Sequence, residues 1–219
     1  MAADSLPSSQ GEHLLQQILG SESRARAFYE NQVLDHLNEN MRNFISAQEM
    51  VFIASADGRG ECDCSFRAGP KGFVYALNER TIVYPEYRGN GVHSSAGNML
   101  ENPHIGMLFL DFLLTTIGLH VNGQVEMYVP AELPPCYRLP ATYCAEIEAA
   151  SGPWSELWMI IKVEEAYIHC SKHIPLLTKR PKQVYWGTDD VRKKGGDFFQ
   201  ARSCIRSRAH VLTNENGQE

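Results

Sequence analysis

The chain has 219 residues, of which 43% are hydrophobic and 21% are charged, so it can bury one sizeable core. Its net charge of −6 argues against nucleic-acid binding, which usually requires a basic surface. No apolar run approaches the roughly 18 residues of a membrane span, and the first residues do not have the pattern of a secretory signal. We therefore expect a cytoplasmic protein that binds neither membranes nor nucleic acid.

The first part of the chain is polar and then becomes helical. Residues 1 to 10 are polar and contain Pro7, which predicts disorder. Between Glu22 and Glu49, apolar residues recur at three- and four-residue spacing, which predicts one or two amphipathic helices with Ser21 as a plausible N-cap.

From residue 50 the hydrophobic period shortens to two, which is typical of strands. The turn "DGRG" joins "MVFIASA" and "ECDCSF" into one hairpin, and "GFVYAL" with "TIVYP" forms a second. Two further strands are "HIGMLFLDF" and "GLHVNGQVEMYV", the second with a bulge or bend expected at Gly123. A short helical run precedes the last strand, "LWMIIKVEEAYIHC". Six or seven strands with few helices predict a mainly β fold, a small closed barrel with attached helices.

The strand "ECDCSFR" has two distinct faces because side chains alternate along a strand. One face, which we expect to point to the core, carries Cys62, Cys64 and Phe66. The other face carries Asp63, Ser65 and Arg67.

The six cysteines show no CxxC pair, and we expect reduced, mostly buried thiols. Cys62 and Cys64, with His169 and Cys170, suggest zinc, but core packing is the more common reason for such a pair. We therefore predict no metal site.

The segment "YPEYRGNGVHSSAGNMLENP" contains a candidate anion site. Ser94 and Ser95 fall where a helix should begin, so backbone N–H groups, hydroxyls and the positive end of the helix dipole converge there. Arg88 lies just upstream, and Arg67 lies on a strand that can pair beside "TIVYP". Two arginines and a helix start suit a phosphate monoester. The alternative is a tight connection in which Gly89 and Gly91 only provide conformational freedom.

Several motifs in order resemble a known family. "FIASADGRGECDCSFRAG", "RTIVYPEYRGNG", "NMLENPHIGMLFLDF", "HVNG" and "IHCSK" are similar to the FMN-binding split-barrel family, the pyridoxamine 5'-phosphate oxidase-like flavoproteins. The resemblance implies a six-stranded split β-barrel, here with an N-terminal helical extension. It also implies a homodimer with FMN at the subunit interface and a small-molecule substrate. On this basis residues 1–49 are a tail and helical extension, residues 50–178 the flavin-binding barrel, and residues 179–219 a partly disordered C-terminal extension.

The resemblance also implies which residues hold the cofactor. Arg67 corresponds to the family arginine that reaches the flavin phosphate or ribityl chain, and Tyr84 and Pro85 correspond to the strand end that lines the ribityl side. The full set placed around FMN is Ser65, Arg67, Tyr84, Pro85, Tyr87, Arg88, Asn90, His93, Ser94, Ser95 and Lys172.

Two departures from the family pattern limit the functional prediction. His93, Ser94 and Ser95 stand where the family has a serine, an arginine and a lysine, so two basic side chains are missing, and Arg88 and Lys172 are the candidates to replace them. The C-terminal motif with which the true oxidase holds its substrate cannot be placed. The sequence therefore predicts an FMN-binding oxidoreductase of unknown substrate with no assigned catalytic residue. A deazaflavin-dependent reductase and a non-enzymatic flavin-binding or sensing protein remain the alternatives.

Overall fold

A computed structural model of the chain describes residues 7–153 and 155–202. The chain divides into two compact units, one ending at Pro181 and the other beginning at Lys182. The disorder predicted for residues 1–6 and for the last residues lies outside the described part. Gln10 already lies in a helix. Among the described residues, no helix has both the length and the apolar character that crossing a bilayer requires.

Three helices precede the main sheet. They are α1 (Gln10–Leu19), α2 (Glu22–Gln32) and α3 (Glu39–Ser46), and a short strand, β1 (Val33–Leu34), separates the last two. The sequence did not predict α1, which begins where the Ser9 hydroxyl accepts a bond from the Glu12 N–H and ends at Gly20 in a left-handed conformation. Ser21 does stand at the N-cap of α2, but its side chain makes no capping bond.

The described residues form eight strands in one antiparallel sheet. After β1 come β2 (Met50–Ala56), β3 (Cys62–Ala68), β4 (Tyr75–Asn78), β5 (Thr81–Tyr87), β6 (His104–Leu110), β7 (Gly118–Tyr128) and β8 (Ser155–His169). Their order across the sheet is β3-β2-β6-β7-β8-β5-β4, and β1 adds to β8. Two more helices, α4 (Ser94–Glu101) and α5 (Ala141–Ser151), follow β5 and β7. The mainly β fold with attached helices is confirmed, as are both hairpins. The closed barrel is wrong, because the sheet has eight strands and its end strands β3 and β4 do not pair with each other.

The longest pairing joins β7 to β8 and contains the predicted bulge. The register runs from Gly118 opposite His169 to Tyr128 opposite Trp158, and it shifts between Asn122 and Gly123. A Cβ atom at Gly123 would lie 2.1 Å from the carbonyl oxygen of Lys162. Glycine is therefore required here because the backbone of β8 comes too close for any side chain.

The core lies between one face of the sheet and the helices. Alternate residues of β2 and β6 are buried, including Val51, Ile53 and Met107, as the period of two requires. β5 differs because its first five residues are all buried. Helix α5 lies near this strand: the ring of its Tyr143 packs 4.8 Å from that of Tyr75 in β4, measured between centroids, and its Ser151 hydroxyl lies 3.2 Å from that of Tyr87 at the end of β5. A strand covered on both faces loses its alternation.

The predicted orientation of β3 is wrong. Cys62, Cys64 and Phe66 are exposed, whereas Asp63, Ser65 and Arg67 are partly buried. The physical reason is that β3 is an edge strand with β2 as its single neighbour, and its inner face meets α4 through polar groups. The expectation of mostly buried thiols is wrong for the same strand and beyond it, since Cys136 and Cys170 are also exposed and Cys144 is partly exposed. Cys204 lies outside the described residues.

We predict that Gly123→Ala lowers the free energy of unfolding by about 1–3 kcal/mol, because the new methyl group forces β7 and β8 apart at their bulge. Urea denaturation measures the change. The control is Gly97→Ala in α4, where an added Cβ meets no atom within 4 Å, so the better helix propensity of alanine should leave stability unchanged or raise it by up to about 1 kcal/mol. Equal unfolding midpoints for wild type and Gly123→Ala would contradict this account of the bulge.

Candidate active site

A polar cluster holds the first turn of α4 against the inner face of β3. The Ser95 hydroxyl donates to Oδ2 of Asp63 at 2.7 Å, and the Ser65 hydroxyl donates to the same oxygen at 3.0 Å. Ser95 is almost completely buried. One helical turn later, the Asn98 amide donates to the Ser55 hydroxyl at 3.2 Å. α4 is therefore positioned on β2 and β3 in part by hydrogen bonds from side chains, which fix its register more specifically than apolar contact alone.

A second polar contact joins β3 to β5. Nε of Arg67 donates to Oε2 of Glu86 at 2.7 Å, and both side chains are mostly buried, with 20% and 14% of their surfaces exposed. The predicted backbone pairing of these two strands is wrong, because β3 pairs with β2, and β5 pairs with β4 and β8. The two strands lie far apart in the order of the sheet, so the ion pair shows that the sheet curls until their side chains meet. Arg67 thus has a carboxylate partner within the chain.

The tyrosines and the proline of β5 are mostly buried. Tyr84 and Pro85 lie in the buried part of the strand, and the Tyr84 hydroxyl has no hydrogen-bond partner among the described residues. Burial raises the pKa of the Tyr84 phenol far above its usual range, and the Glu86 carboxylate adds to the rise while Arg67 opposes it. Tyr87 is half-buried, with its hydroxyl 3.2 Å from that of Ser151 in α5, and burial raises its pKa too. Tyr84 therefore lies against the Arg67–Glu86 pair but beneath the surface.

The loop between β5 and α4 carries the exposed members of the predicted site. Arg88, Asn90, His93 and Ser94 are all exposed, and the Asn90 side chain accepts a bond from the Val92 N–H at 3.0 Å. Gly91 and His93 both adopt left-handed backbone angles, so the glycine does provide a conformation that the loop needs. Nε2 of His93 lies 3.9 Å from Oε2 of Glu156 at the start of β8. The beginning of α4 thus lies beside the same end of β8 that pairs with Glu86.

Lys172 is not brought to this cluster within one chain. It is exposed on a 3₁₀ turn, Ser171–His173, which follows the last residue of β8. Glu156 is at the other end of that strand, which corresponds to roughly 40 Å of extended chain. The structure therefore brings Ser65 and Ser95 together, with Arg67 on the same face of β3, and it places Lys172 elsewhere.

The residues that suggested a zinc site in the sequence are also far apart in the structure. Cys62 and Cys64 lie on the outer face of β3, whereas His169 ends β8, and β2, β6 and β7 intervene in the sheet. Nδ1 of His169 instead lies 2.9 Å from Nε2 of His120. Burial, with a smaller contribution from His169, lowers the pKa of His120. Within the described residues, no group of three or more histidine, cysteine or acidic side chains is close enough to hold a metal ion.

Sequence reasoning missed the two carboxylates that define the cluster. Asp63 alternates onto the same face of β3 as Ser65 and Arg67, so the period of two already placed it among the predicted ligands. Glu86 lies two residues after Tyr84 in β5, on the same side of that strand. In each case an acidic residue alternates onto the same strand face as a predicted cofactor ligand, and this pattern could have identified both carboxylates.

The observed cluster does not fit a flavin phosphate. A phosphate monoester carries between one and two negative charges at neutral pH. The hydroxyls of Ser65 and Ser95 already donate to the Asp63 carboxylate, and Nε of Arg67 donates to Glu86. A phosphate group held by these residues would compete with the Asp63 carboxylate for the two hydroxyls, and at Arg67 it would approach the Glu86 carboxylate, so both carboxylates would repel it.

We predict that Arg67→Ala lowers the free energy of unfolding by about 1–3 kcal/mol, because it leaves the Glu86 carboxylate mostly buried without its partner. Adding Glu86→Gln should restore part of the loss, and a double-mutant cycle in urea measures this coupling. Arg80→Ala is the control: Arg80 pairs with Asp35 at 2.8 Å, but on the exposed surface, so stability should hardly change. Additive effects of the Arg67 and Glu86 variants would rule out a structural role for the pair.

Comparison with solved structures finds several chains that match this one at low sequence identity. HupZ of Group A Streptococcus is 20% identical, with 60% of this chain and 93% of that one covered and a TM-score of 0.43. An FMN-binding protein from Syntrophomonas wolfei is 12% identical, with 73% and 97% covered and a TM-score of 0.41. HutZ, the heme storage protein from Vibrio cholerae, is 12% identical, with 60% and 94% covered and a TM-score of 0.39. These low TM-scores carry no conclusion about function.

Comparison of the sequence with protein families gives a clear result. No curated protein matches the chain. The family model described as pyridoxamine 5'-phosphate oxidase, however, matches residues 37–170, which is more than half of the chain. The matched segment begins just before α3 and ends just after β8, so it contains β3, β5, α4 and the polar cluster that they form. The chain therefore belongs to the pyridoxamine 5'-phosphate oxidase family.

Proposed function

We propose that this protein binds a flavin and works as an oxidoreductase on a small molecule. The observation that carries the proposal is the family match over residues 37–170, which includes the whole sheet from β2 to β8. The resemblance implies FMN, so FMN is the first flavin to test. A bound flavin would itself carry the hydride transfer, and the chain would need only to orient the ring and exclude water. The proposal therefore requires no nucleophilic side chain.

The proposed homodimer is supported by an apolar patch on the outer face of the sheet. Phe66, Phe52 and Leu108 lie opposite one another across β3, β2 and β6, and the two phenylalanine ring centroids are 5.5 Å apart. Phe66 has 53% of its surface exposed. Exposed aromatic residues of this kind commonly mark protein interfaces. We propose that a second copy of the chain covers this patch, and that the flavin lies at the resulting interface.

The deazaflavin alternative has less support. The long acidic tail of that cofactor needs an extended basic groove. Of the candidate cations, Arg80 is engaged by Asp35. The cluster on β3 and β5 contributes the carboxylates of Asp63 and Glu86 as well. A non-enzymatic flavin-binding protein would share the proposed site and differ from the oxidoreductase in having no turnover.

We predict that the folded protein quenches the fluorescence of added flavin, because a bound flavin ring comes close to aromatic side chains, which quench its emission by electron transfer. Parallel titrations with FMN and riboflavin measure affinity, and the visible absorption of the purified protein distinguishes a flavin from a deazaflavin or a heme. Urea-unfolded protein is the control and should not quench. Folded protein that quenches neither flavin at tens of micromolar concentration would refute the proposed function.

We predict that sedimentation velocity finds a dimer, and that Phe66→Asp shifts it towards monomer because burying a charged side chain within the apolar patch is costly. Leu114→Asp is the matched control, since Leu114 is also an exposed apolar residue, at 82%, but lies in the turn after β6. It should remain dimeric. A wild-type chain that is monomeric at micromolar concentration, or a dimer that Phe66→Asp does not weaken, would contradict the proposed interface.

A further inference from the structure

We infer that the Asp63 carboxylate, which accepts bonds from the hydroxyls of Ser65 and Ser95 beside the start of α4, makes this site select against the phosphate of a flavin. The inference rests on the proposed flavin binding and adds a preference to it. Asp63 would therefore be a specificity-determining residue. Its carboxylate would weaken the binding of FMN relative to riboflavin, which has no phosphate. The following observations carry it.

Asp63 lies beside the start of a helix, where an anion is favourable. Helix N-termini attract negative charge because the first backbone N–H groups point outwards and the helix dipole is positive there. Ser95 is the second residue of α4, and its buried hydroxyl donates to Oδ2 of Asp63 at 2.7 Å. The Asp63 carboxylate therefore lies beside the first turn of α4 through a side-chain bond. A phosphate that took the Ser95 hydroxyl would add a second negative charge next to this carboxylate.

The carboxylate is held in place from both sides. On its own strand, the Ser65 hydroxyl donates to the same oxygen at 3.0 Å. The backbone of Asp63 pairs with Ser55 of β2, and Ser55 in turn accepts a bond from Asn98 of α4. The two hydroxyl bonds hold the Asp63 side chain, so moving it to make room for a ligand would break its bonds to Ser65 and Ser95.

The positive charge that could oppose Asp63 is engaged elsewhere. Arg67 lies four residues further along β3 on the same face, but its Nε donates to Glu86 at 2.7 Å. His93, at the N-cap of α4, has its Nε2 3.9 Å from Glu156, a third carboxylate. A phosphate that took the hydroxyls of Ser65 and Ser95 would lie close to the Asp63 carboxylate, and repulsion between like charges at close range lowers affinity. The acidic groups around the helix start therefore disfavour a phosphate rather than attract one.

The affinities of FMN and riboflavin test the inference, because the two ligands differ only in the phosphate. For wild type we expect FMN to bind no more tightly than riboflavin. Asp63→Asn keeps the shape of the side chain and an oxygen that can accept the serine bonds, but removes the charge. It should tighten FMN binding by about tenfold and leave riboflavin binding unchanged. A purely structural role for Asp63 would change both affinities together.

The matched control removes a nearby acidic charge outside the cluster. Glu61 is exposed two residues before Asp63 and lies 2.9 Å from Arg59, so Glu61→Gln should leave both affinities unchanged. Wild-type protein that binds FMN at least about tenfold more tightly than riboflavin would overturn the inference without any variant. The inference would also be overturned if Asp63→Asn bound FMN more weakly than wild type while its riboflavin affinity was unchanged.

Inorganic phosphate tests the same position without a flavin. If the chain bound neither flavin, the proposed function would fail, but the preference at the start of α4 could still be measured. The thermal unfolding midpoint of Asp63→Asn should rise with added phosphate more than with chloride of equal ionic strength, whereas the wild-type midpoint should show no such difference. The inference would be overturned if phosphate raised the unfolding midpoint of wild type, relative to chloride, as much as it raised that of Asp63→Asn.

Discussion

The contact between the Asp63 carboxylate and the first turn of α4 determines how the edge of the sheet is arranged. Because Ser65 and Ser95 both donate to this carboxylate, the inner face of β3 is polar, and α4 packs on it through hydrogen bonds. The apolar residues of the strand must then point outwards, which leaves Phe66 exposed. The same alternation directs Arg67 inwards to Glu86, so one polar face ties β3 to both α4 and β5.

The charged groups of the cluster are paired with groups of the same chain, and this pairing affects which ligands the site can bind. The Arg67–Glu86 pair joins opposite charges, and the hydroxyls of Ser65 and Ser95 donate to the Asp63 carboxylate. A site whose positive groups are already paired within the chain attracts an anionic ligand less strongly than a site with unpaired cations. Membership of the pyridoxamine 5'-phosphate oxidase family supports a flavin site here, whereas the local electrostatics determine which form of flavin it prefers.

Sequence patterns predicted the local structure of this protein well. The period of two gave both hairpins, and Gly123 marked a bulge that the close backbone of β8 makes necessary. Alternation also grouped Asp63 with Ser65 and Arg67 correctly. It could not say which face of the strand points inwards, since that depends on what packs there.

The partners of the predicted ligands were beyond the reach of sequence patterns because they come from distant parts of the chain. Ser95 meets Asp63 across 32 residues, and Arg67 meets Glu86 across 19. No periodicity links such positions. They come together only when the sheet has curled and α4 has docked, which explains how a serine-rich helix start with arginines nearby could be interpreted as a phosphate site.

Phosphorus NMR of FMN bound to the wild-type protein tests the central claim most directly, because it reports on the phosphate itself. The account predicts a bound flavin whose phosphate resonance stays close to that of free FMN and titrates with pH as in solution, since Asp63 and Glu86 keep the donors of the cluster. A resonance shifted strongly on binding and locked as the dianion across the titration would contradict it, because that is the behaviour of a phosphate held by Arg67 and the start of α4.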